Sequence, residues 1–331
     1  MRIDDPVPTL LRSRKTEDRL KGLRLLAEKP CAGDVTLLLP LLYDPSQIAA
    51  SRAVRLLADR SYHAAVPKLL ERYRWYHEEP VARDPGCTVR SEIVQALGVL
   101  AGRQAVDVLR LAVRTVQIET VAGGLEDTAT GLRANAALAL ANVVGVEAAT
   151  DLAILLFDMK PNVAVPPSEA PYAKVAARAA AARALGQVGG PPAEALLAAK
   201  LAHPAGEVPE VLVECMDALV AVGSARALEL IAPLLRHKEP YVVAGAATAL
   251  AASRAPEVAE LLHDAVEFAV HDARESIILA LAALRSDAAL VHLVALLQHP
   301  DGTVRAAAAE ALDSFPASAV AEARERAEEP S

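Results

Sequence analysis

The sequence predicts an all-α fold, a right-handed α-solenoid of about nine helix pairs. The main observation is a short phrase, Asp-Ala-Leu, Thr-Ala-Leu, Leu-Ala-Leu and then Glu-Ala-Leu, whose leucines stand at 219, 250, 281 and 312. The step is 31 residues each time, and a fixed period of this size is typical of stacked repeat proteins. In addition, 53% of the 331 residues are hydrophobic but only 3% are aromatic, which favours close-packed helices of alanine, leucine and valine. We find no period-2 strand pattern of note.

One repeat, residues 287–315, shows how the unit is built. Leu290, Leu293, Val294 and Leu297 follow the i, i+3, i+4, i+7 spacing of one helix face. A proline and an Asp-Gly turn then end this first helix, and a second amphipathic helix follows. Neither helix can cover its own apolar face, so the pair is stable only when it stacks on neighbours.

The same pattern, taken in order along the chain, predicts a single solenoid domain over residues 1–331, since a solenoid core grows in one dimension. Counting back, the repeat leucines fall at 26, 57, 97, 140 and 185. We expect, in order, a lead-in (1–15), N-terminal repeats (16–60), central repeats with expanded loops (61–190), regular 31-residue repeats (191–316) and a capping helix (317–331).

The central repeats are longer than the rest, and the extra residues fall in corresponding places. They lengthen the turn inside three consecutive pairs, at 77–88, 120–131 and 160–173. Equivalent turns lie side by side along one edge of a solenoid, so we expect these insertions to form a ridge that binds a partner. The alternative is drift in loop length, because surface insertions cost little stability. The segment 160–173 carries four prolines and cannot be helical throughout, and 120–131 has the composition of a mobile loop.

The last repeat resembles a known family. Its run Pro300-Asp301-x-x-Val304-Arg305 followed by Ala311-Leu312 is similar to the short bacterial HEAT-like repeat of the phycobilin lyase type. The resemblance implies that the aspartate and arginine form a structural ladder of ion pairs between adjacent repeats. Each arginine stands seven residues before a repeat leucine. The ladder residues implied in this way are Arg90, Arg133, Arg178, Arg274, Asp301 and Arg305.

One run stands out as a candidate partner-binding site. Residues 72–77 read Arg-Tyr-Arg-Trp-Tyr-His, contain the only tryptophan and lead into the first insertion. Tyrosine, tryptophan and arginine dominate interface hot spots. The alternative is a helix whose aromatic rings pack under the next loop, and helical geometry sends Tyr73 and Trp75 to different faces. The candidate binding residues are Arg72, Tyr73, Arg74, Trp75, Tyr76 and His77, with Pro166, Pro167 and Tyr172 of the third insertion.

Net charge, cysteine content and hydropathy argue against a nucleic-acid binder, a disulfide-bonded protein and a membrane partner. The formal net charge is −8, whereas a chain-wide nucleic-acid binder is usually basic. The three cysteines lie far apart and predict reduced thiols in a cytoplasmic protein. No apolar run reaches the roughly 18 residues of a membrane helix, so we expect no membrane partner.

We therefore expect a non-enzymatic scaffold or adaptor that binds another protein. No nucleophile–base arrangement is legible, no two histidines have metal-ligand spacing, and no cofactor or metal is expected. The HEAT-like deoxyhypusine hydroxylases bind iron through several His-Glu pairs, whereas this chain has only His77-Glu78. A chromophore-handling subunit of bilin-lyase type stays open as an alternative, and so does a nucleic-acid binder related to the HEAT-like DNA glycosylases. The concave face of the second helices is the competing binding surface.

Overall fold

The structure, a computed structural model, describes residues 6–29, 33–164 and 174–328. These residues form an all-α solenoid-type stack of helix pairs with one small β-hairpin. The chain divides into two compact units, Met1–Val188 and Gly189–Ser331. The regular 31-residue repeats lie in the second unit.

The second helices of the pairs carry the predicted repeat leucines. All nine leucines are buried, and none is more than 4% exposed. In the first unit these helices are α2 (Thr16–Glu28), α4 (Gln47–Asp59), α7 (Thr88–Leu100), α9 (Thr130–Val144) and α11 (Val175–Val188). In the second unit they are α13 (Pro209–Ala221), α15 (Pro240–Ser253), α17 (Arg274–Ala283) and α19 (Gly302–Leu312). Within each unit, every second helix packs against the next one along the chain.

The first helices form the other layer and are less regular. Several of them begin or end as a 3₁₀ turn, and in two pairs Pro40 and Pro233 remove a backbone donor where the α-helix gives way. In the first unit they are α1 (Val7–Leu11), α3 (Asp34–Leu38), α5 (Val66–Glu78), α8 (Val106–Val113) and α10 (Ala149–Phe157). In the second unit they are α12 (Gly190–Ala202), α14 (Ala227–Ile231), α16 (Val258–Phe268) and α18 (Asp287–Leu296).

Three further elements lie outside this alternation. A one-turn helix α6 (Pro80–Arg83) occupies the first insertion. A hairpin of β1 (Ile118–Val121) and β2 (Gly124–Asp127) occupies the second, with Val121 opposite Gly124. The last helix, α20 (Ala317–Glu328), packs against α18 as expected of a capping helix.

The fold is all-α as predicted, and the hairpin corrects only the expectation that the second insertion contains no strand. Its two-residue turn has positive φ at Ala122 (49°) and Gly123 (88°), the geometry that matches the twist of paired strands. The first of these positions is alanine, so the sequence lacks the Asn-Gly pair that usually indicates such a turn. Four residues per strand are also too few for alternation to be visible in the sequence.

The expectation that no apolar segment reaches the length of a membrane helix needs a correction. Residues Thr130–Phe157 are long and apolar enough to cross a membrane by length and composition alone. In the structure this segment is two helices, α9 and α10. Gly145 separates them with a φ of 56°, and both helices pack in the core of the first unit. An apolar stretch of this kind is common in the core of a repeat stack, where both layers are buried.

Small residues allow the second helices to approach one another closely. A Cβ atom added to Gly98 of α7 would lie 2.7 Å from the Cβ atom of Ala139 in α9, and 3.0 Å from its Cα atom. The neighbouring atom belongs to a short side chain and a backbone, so it cannot move aside alone. The spacing of α7 and α9 therefore depends on a glycine at this position.

We expect Gly98→Ala to lower the stability by about 1–3 kcal/mol, since the added methyl group overpacks the contact between α7 and α9. Gly131→Ala is the matched control: no atom lies within 4 Å of its added Cβ, and alanine favours the helix by about 0.4–1 kcal/mol. Urea unfolding followed by circular dichroism measures both. Equal midpoints for the two variants would contradict the close approach.

Candidate functional site

The aromatic–basic cluster, residues 72–77, lies on the last turns of α5 and divides between core and surface. Arg72, Tyr73 and Tyr76 are buried, whereas Trp75 is 38% exposed. Arg74 is exposed and His77 is half-buried. The run thus has a buried helix face with Arg72, Tyr73 and Tyr76 and an exposed face with Arg74 and Trp75, and only the exposed face is available to a partner.

Arg72 holds the buried and exposed aromatic rings together. Its Nε donates to the Leu42 carbonyl over 2.9 Å, which satisfies the backbone where the preceding first helix ends. Its guanidinium carbon lies 3.9 Å from the ring centroid of Trp75 and 4.6 Å from that of Tyr76. The Tyr43 ring lies at 4.5 Å. Cation–π contacts of this kind are stronger where water is excluded, and Arg72 is only 5% exposed.

Trp75 is fixed between two arginines. Arg83 of α6 lies 4.3 Å from its ring centroid and donates to its backbone carbonyl over 2.6 Å. The same guanidinium donates to Glu78 over 2.9 Å. An open groove of about 590 Å³ runs beside the indole and is also lined by Tyr43. A large ring held rigidly at a groove, with its charged neighbours already paired, needs little ordering when a partner binds.

Tyr73 lies in the core, so it offers no surface to a partner, and its neighbour His77 is half-buried. The Tyr73 side chain is fully buried, and its ring stacks on His77 with a centroid separation of 6.1 Å. Burial raises the pKa of the Tyr73 phenol to about 12. Burial, with the nearby Arg90 charge, lowers the pKa of His77. The spacing of four residues places both side chains on one face of α5, where their rings meet.

The arginines of the implied ladder lie at the turns between the helices of a pair. Arg90 is fully buried, and its Nε donates to Asp84 over 3.0 Å. Its Nη2 donates to Gln117, which precedes the second helix of the next pair. Arg274 likewise reaches the next pair and donates to Asp301 over 3.0 Å. These bonds satisfy turn residues of one pair with a side chain from the pair before.

Two of the remaining ladder residues, Arg133 and Arg305, bond to residues that precede their own helix. Arg133 pairs with Asp127 at 2.8 Å and donates to the Thr115 carbonyl over 2.7 Å. Arg305 donates to the carbonyls of His299 and Pro300, while Arg178 is fully buried.

Sequence reasoning missed Arg19, which also stands seven residues before a repeat leucine, Leu26. It donates to Asp44 of the next pair over 2.5 and 2.8 Å. The spacing rule applied to the first repeat leucine would have found it.

The three insertions are joined to one another in the described residues. The Gly86 amide of the first donates to Glu119 of the hairpin over 2.8 Å. On the other side, the Asn162 amide of the third donates to Asp127 of the hairpin over 2.6 Å. We call the described part of this surface, 77–88, 118–131 and 160–164, the insertion ridge. Residues 165–173, with Pro166, Pro167 and Tyr172, lie outside the described residues.

The ridge exposes apolar side chains that the fold does not bury. Leu125 at the hairpin is 63% exposed, Val121 is 38% exposed, and Val81 of α6 is 51% exposed. Among the described residues, no group of three or more histidine, cysteine or acidic side chains is placed to hold a metal ion. The ridge is therefore a hydrogen-bonded surface with exposed apolar side chains.

Comparisons with known proteins identify the repeats. Residues 229–313 match the family described as HEAT repeats, and residues 177–203 match the PBS lyase HEAT-like repeat. No curated protein sequence matches the chain significantly. Residues 229–313 are therefore HEAT repeats, and residues 177–203 form a HEAT-like repeat of the PBS lyase type.

Solved structures agree with this fold. The chain is similar to Kap121p bound to Pho4p, with a TM-score of 0.51, 15% identity, and coverage of 97% of this chain and 38% of that one. It is similar to the karyopherin Kap121p bound to the extreme C-terminus of the protein phosphatase Cdc14p, with a TM-score of 0.50, 15% identity, and coverage of 96% and 38%. Human deoxyhypusine hydroxylase in complex with glycerol gives a TM-score of 0.33, 17% identity, and coverage of 94% and 95%. At these identities the likeness to the karyopherins concerns the α-solenoid fold alone.

We expect the stability of the protein to fall as the pH rises above 10. The unfolded phenol of Tyr73 titrates near 10.0 and the folded one at about 12, so the unfolded state loses its proton first and is favoured between these values. The loss from Tyr73 reaches about 2 kcal/mol by pH 12. Tyr73→Phe makes the slope shallower and keeps the midpoint at pH 7, whereas Tyr241→Phe, at an exposed position, keeps the wild-type slope. Thermal unfolding between pH 9 and 11.5 measures the difference, and identical slopes in all three proteins would contradict the burial of Tyr73.

We expect Asp84→Ala to destabilise the first unit by about 3–5 kcal/mol, because it leaves the buried Arg90 charge without its partner. The control is Glu147→Ala, which breaks an exposed 2.8 Å pair with Arg103 and leaves the urea midpoint nearly unchanged. If both variants shifted the midpoint equally, Arg90 and Asp84 would not be a buried pair.

Proposed function

We propose that this protein is a non-enzymatic scaffold or adaptor of the cytoplasm that binds another protein through the insertion ridge and Trp75. The observation that carries the proposal is the ridge itself: insertions from three consecutive pairs are hydrogen-bonded into one surface and expose apolar side chains. Drift in loop length predicts independent loops, and does not account for bonds between them. The free, buried thiols of Cys87 and Cys215 support a reducing compartment.

The chemistry of the surface supports a protein as the partner. Trp75 offers an aromatic anchor in a groove, and Arg72 and Arg83 both contact its ring. Exposed valines and a leucine lie along the ridge, and the carboxylates of Glu78 and Glu126 supply a polar rim. An apolar centre with a charged rim is the usual anatomy of a protein interface.

The comparisons with known structures support binding of a protein in general, and they do not identify the partner. In the two similar structures Kap121p is bound to Pho4p and to the C-terminus of the protein phosphatase Cdc14p, so a solenoid of this fold can offer protein-binding surfaces. The chain spans 38% of those karyopherins, and it does not inherit their partners. The match to a PBS lyase repeat concerns one stacking unit of 27 residues and gives no observation in favour of bilin chemistry at the ridge.

The test compares two variants of the full-length chain as affinity baits. Trp75→Ala combined with Leu125→Asp alters the ridge, and Val146→Asp changes a residue of similar exposure (51%) in a turn between two pairs. We expect the ridge variant to bind the partner at least about 30-fold more weakly, since loss of a hot spot costs about 2 kcal/mol or more. The control should bind like the wild type. Calorimetry with the purified partner measures the affinities.

Other outcomes decide against this proposal. A partner that binds the ridge variant and the wild type equally would move the site to the concave face of the second helices. Co-purification of a coloured chromophore or of nucleic acid in place of a protein would favour one of the two alternative functions.

A further inference from the structure

The turns that join one helix pair to the next share a left-handed backbone position. It lies four or five residues after the repeat leucine at seven junctions, and its φ ranges from 52° to 71°. The residues are Ser61, Gly102, Gly145, Gly189, Gly223, Arg254 and Arg285. Four are glycine, the residue that adopts positive φ at no steric cost. Two consecutive junctions of the second unit instead hold arginine, at φ 54° and 53°.

The two arginines line one pocket. Arg254 and Arg285 border an open cavity of about 500 Å³, whose other lining residues include Ser286 and Ala288 at the start of α18. Ser286 caps this ten-residue helix by accepting from the Ala289 amide. The remaining walls are small apolar side chains. No carboxylate is among the residues that line the cavity, and Asp287, the first residue of α18, is exposed outside it.

The second unit is acidic overall. It carries 10 Lys and Arg against 21 Asp and Glu, and three of its arginines, Arg226, Arg274 and Arg326, pair with carboxylates. Arg226 pairs with Glu229 at 3.2 Å, for example. Arg285 uses one nitrogen to donate to the Ser314 carbonyl over 2.9 Å, and Arg254 forms no ion pair within the described residues. Arg254 and Arg285 are both exposed and line one cavity, and neither forms an ion pair within the described residues.

We propose that this pocket binds a phosphate group. A guanidinium is a planar fork of donors that matches phosphate oxygens in pairs, and two forks suit the nearly two negative charges of a phosphate monoester. The positive end of α18 adds to the attraction for an anion, and the Asp287 carboxylate in its first turn offsets part of that attraction. The cavity is larger than a phosphate ion and has alanine and proline walls, so it has room for the organic part of a phosphorylated molecule.

The proposal concerns the second unit, and it stands whether or not the insertion ridge binds a protein. A substitution at Arg254 can separate an effect on binding from an effect on folding. At φ 54° a glycine is less strained than an arginine, so Arg254→Gly is expected to keep or raise the stability while removing a ligand contact.

The experiment titrates the full-length chain with two probes by ³¹P NMR at low salt. The probes are inorganic phosphate and a blocked tripeptide, acetyl-Ala-phosphoserine-Ala-amide. We expect saturable binding, weakened at least about fivefold by Arg254→Gly and beyond detection by Arg254→Gly with Arg285→Gly, since charge-assisted hydrogen bonds are lost. Arg226→Gln removes one positive charge from the same unit and should leave the affinity within about twofold. The unfolding temperature of Arg254→Gly should equal or exceed that of the wild type.

The two probes distinguish the source of the phosphate. Tighter binding of the tripeptide points to a phosphorylated side chain, and binding of inorganic phosphate that is equal or tighter points to a free anion; both support the pocket. The proposal is overturned if neither probe saturates up to about 20 mM at low ionic strength, where attraction between charges is least screened. It is also overturned if the double glycine variant binds like the wild type, or if Arg226→Gln weakens binding equally.

Discussion

The contact between successive second helices is the interaction on which the rest of this structure depends. A single helix pair has an apolar face that it cannot cover, and only the next pair removes it from water. The nine repeat leucines are buried in this way, and alanine and glycine bring the helices together where they are closest. Burial of apolar side chains against a neighbouring pair is thus the main stabilising term, and it repeats along each unit.

This dependence explains why polar residues cluster at the turns. The turns are where backbone groups lose their helical partners, and the stack brings the turns of neighbouring pairs together. Arg19 and Arg274 each reach an aspartate of the next pair, and Arg90 reaches Gln117. These side chains satisfy turn residues that packing alone would leave unpaired, so the ladder complements the apolar contact.

Because the stack is held together by contacts between helices, the turns can vary in length and sequence. A stack held together by helix faces tolerates extra residues between the helices, because a longer loop costs little closure entropy. Three pairs of the first unit use this freedom for the insertion ridge. In the second unit the variation is smaller, a change from glycine to arginine at two junctions. Both candidate sites therefore lie at turns, where side chains can change without disturbing the core.

Much of the fold could be predicted from the sequence, because the repeat period and the apolar spacing along each helix are local properties. The number of pairs, the nine leucines and the position of the insertions follow from that pattern. The hairpin could not be predicted, since its strands are short and its turn uses alanine at a positive φ. The same holds for the split of the aromatic–basic cluster. Sequence placed Tyr73 and Trp75 on different faces, but only the packing of α5 against α7 decided that Tyr73 is the buried one.

The sequence by itself determined that this chain is a stack of helix pairs with extra residues at one edge. The tertiary structure alone decided which side chains meet. Gly86 and Glu119 are 33 residues apart, and Arg254 and Arg285 are 31 residues apart, yet each pair meets at one place, a bond in the first case and a pocket in the second. Contacts of this kind depend on the position of one helix pair relative to the next. That position is determined by the packing of many side chains together, so no single residue in the sequence predicts it.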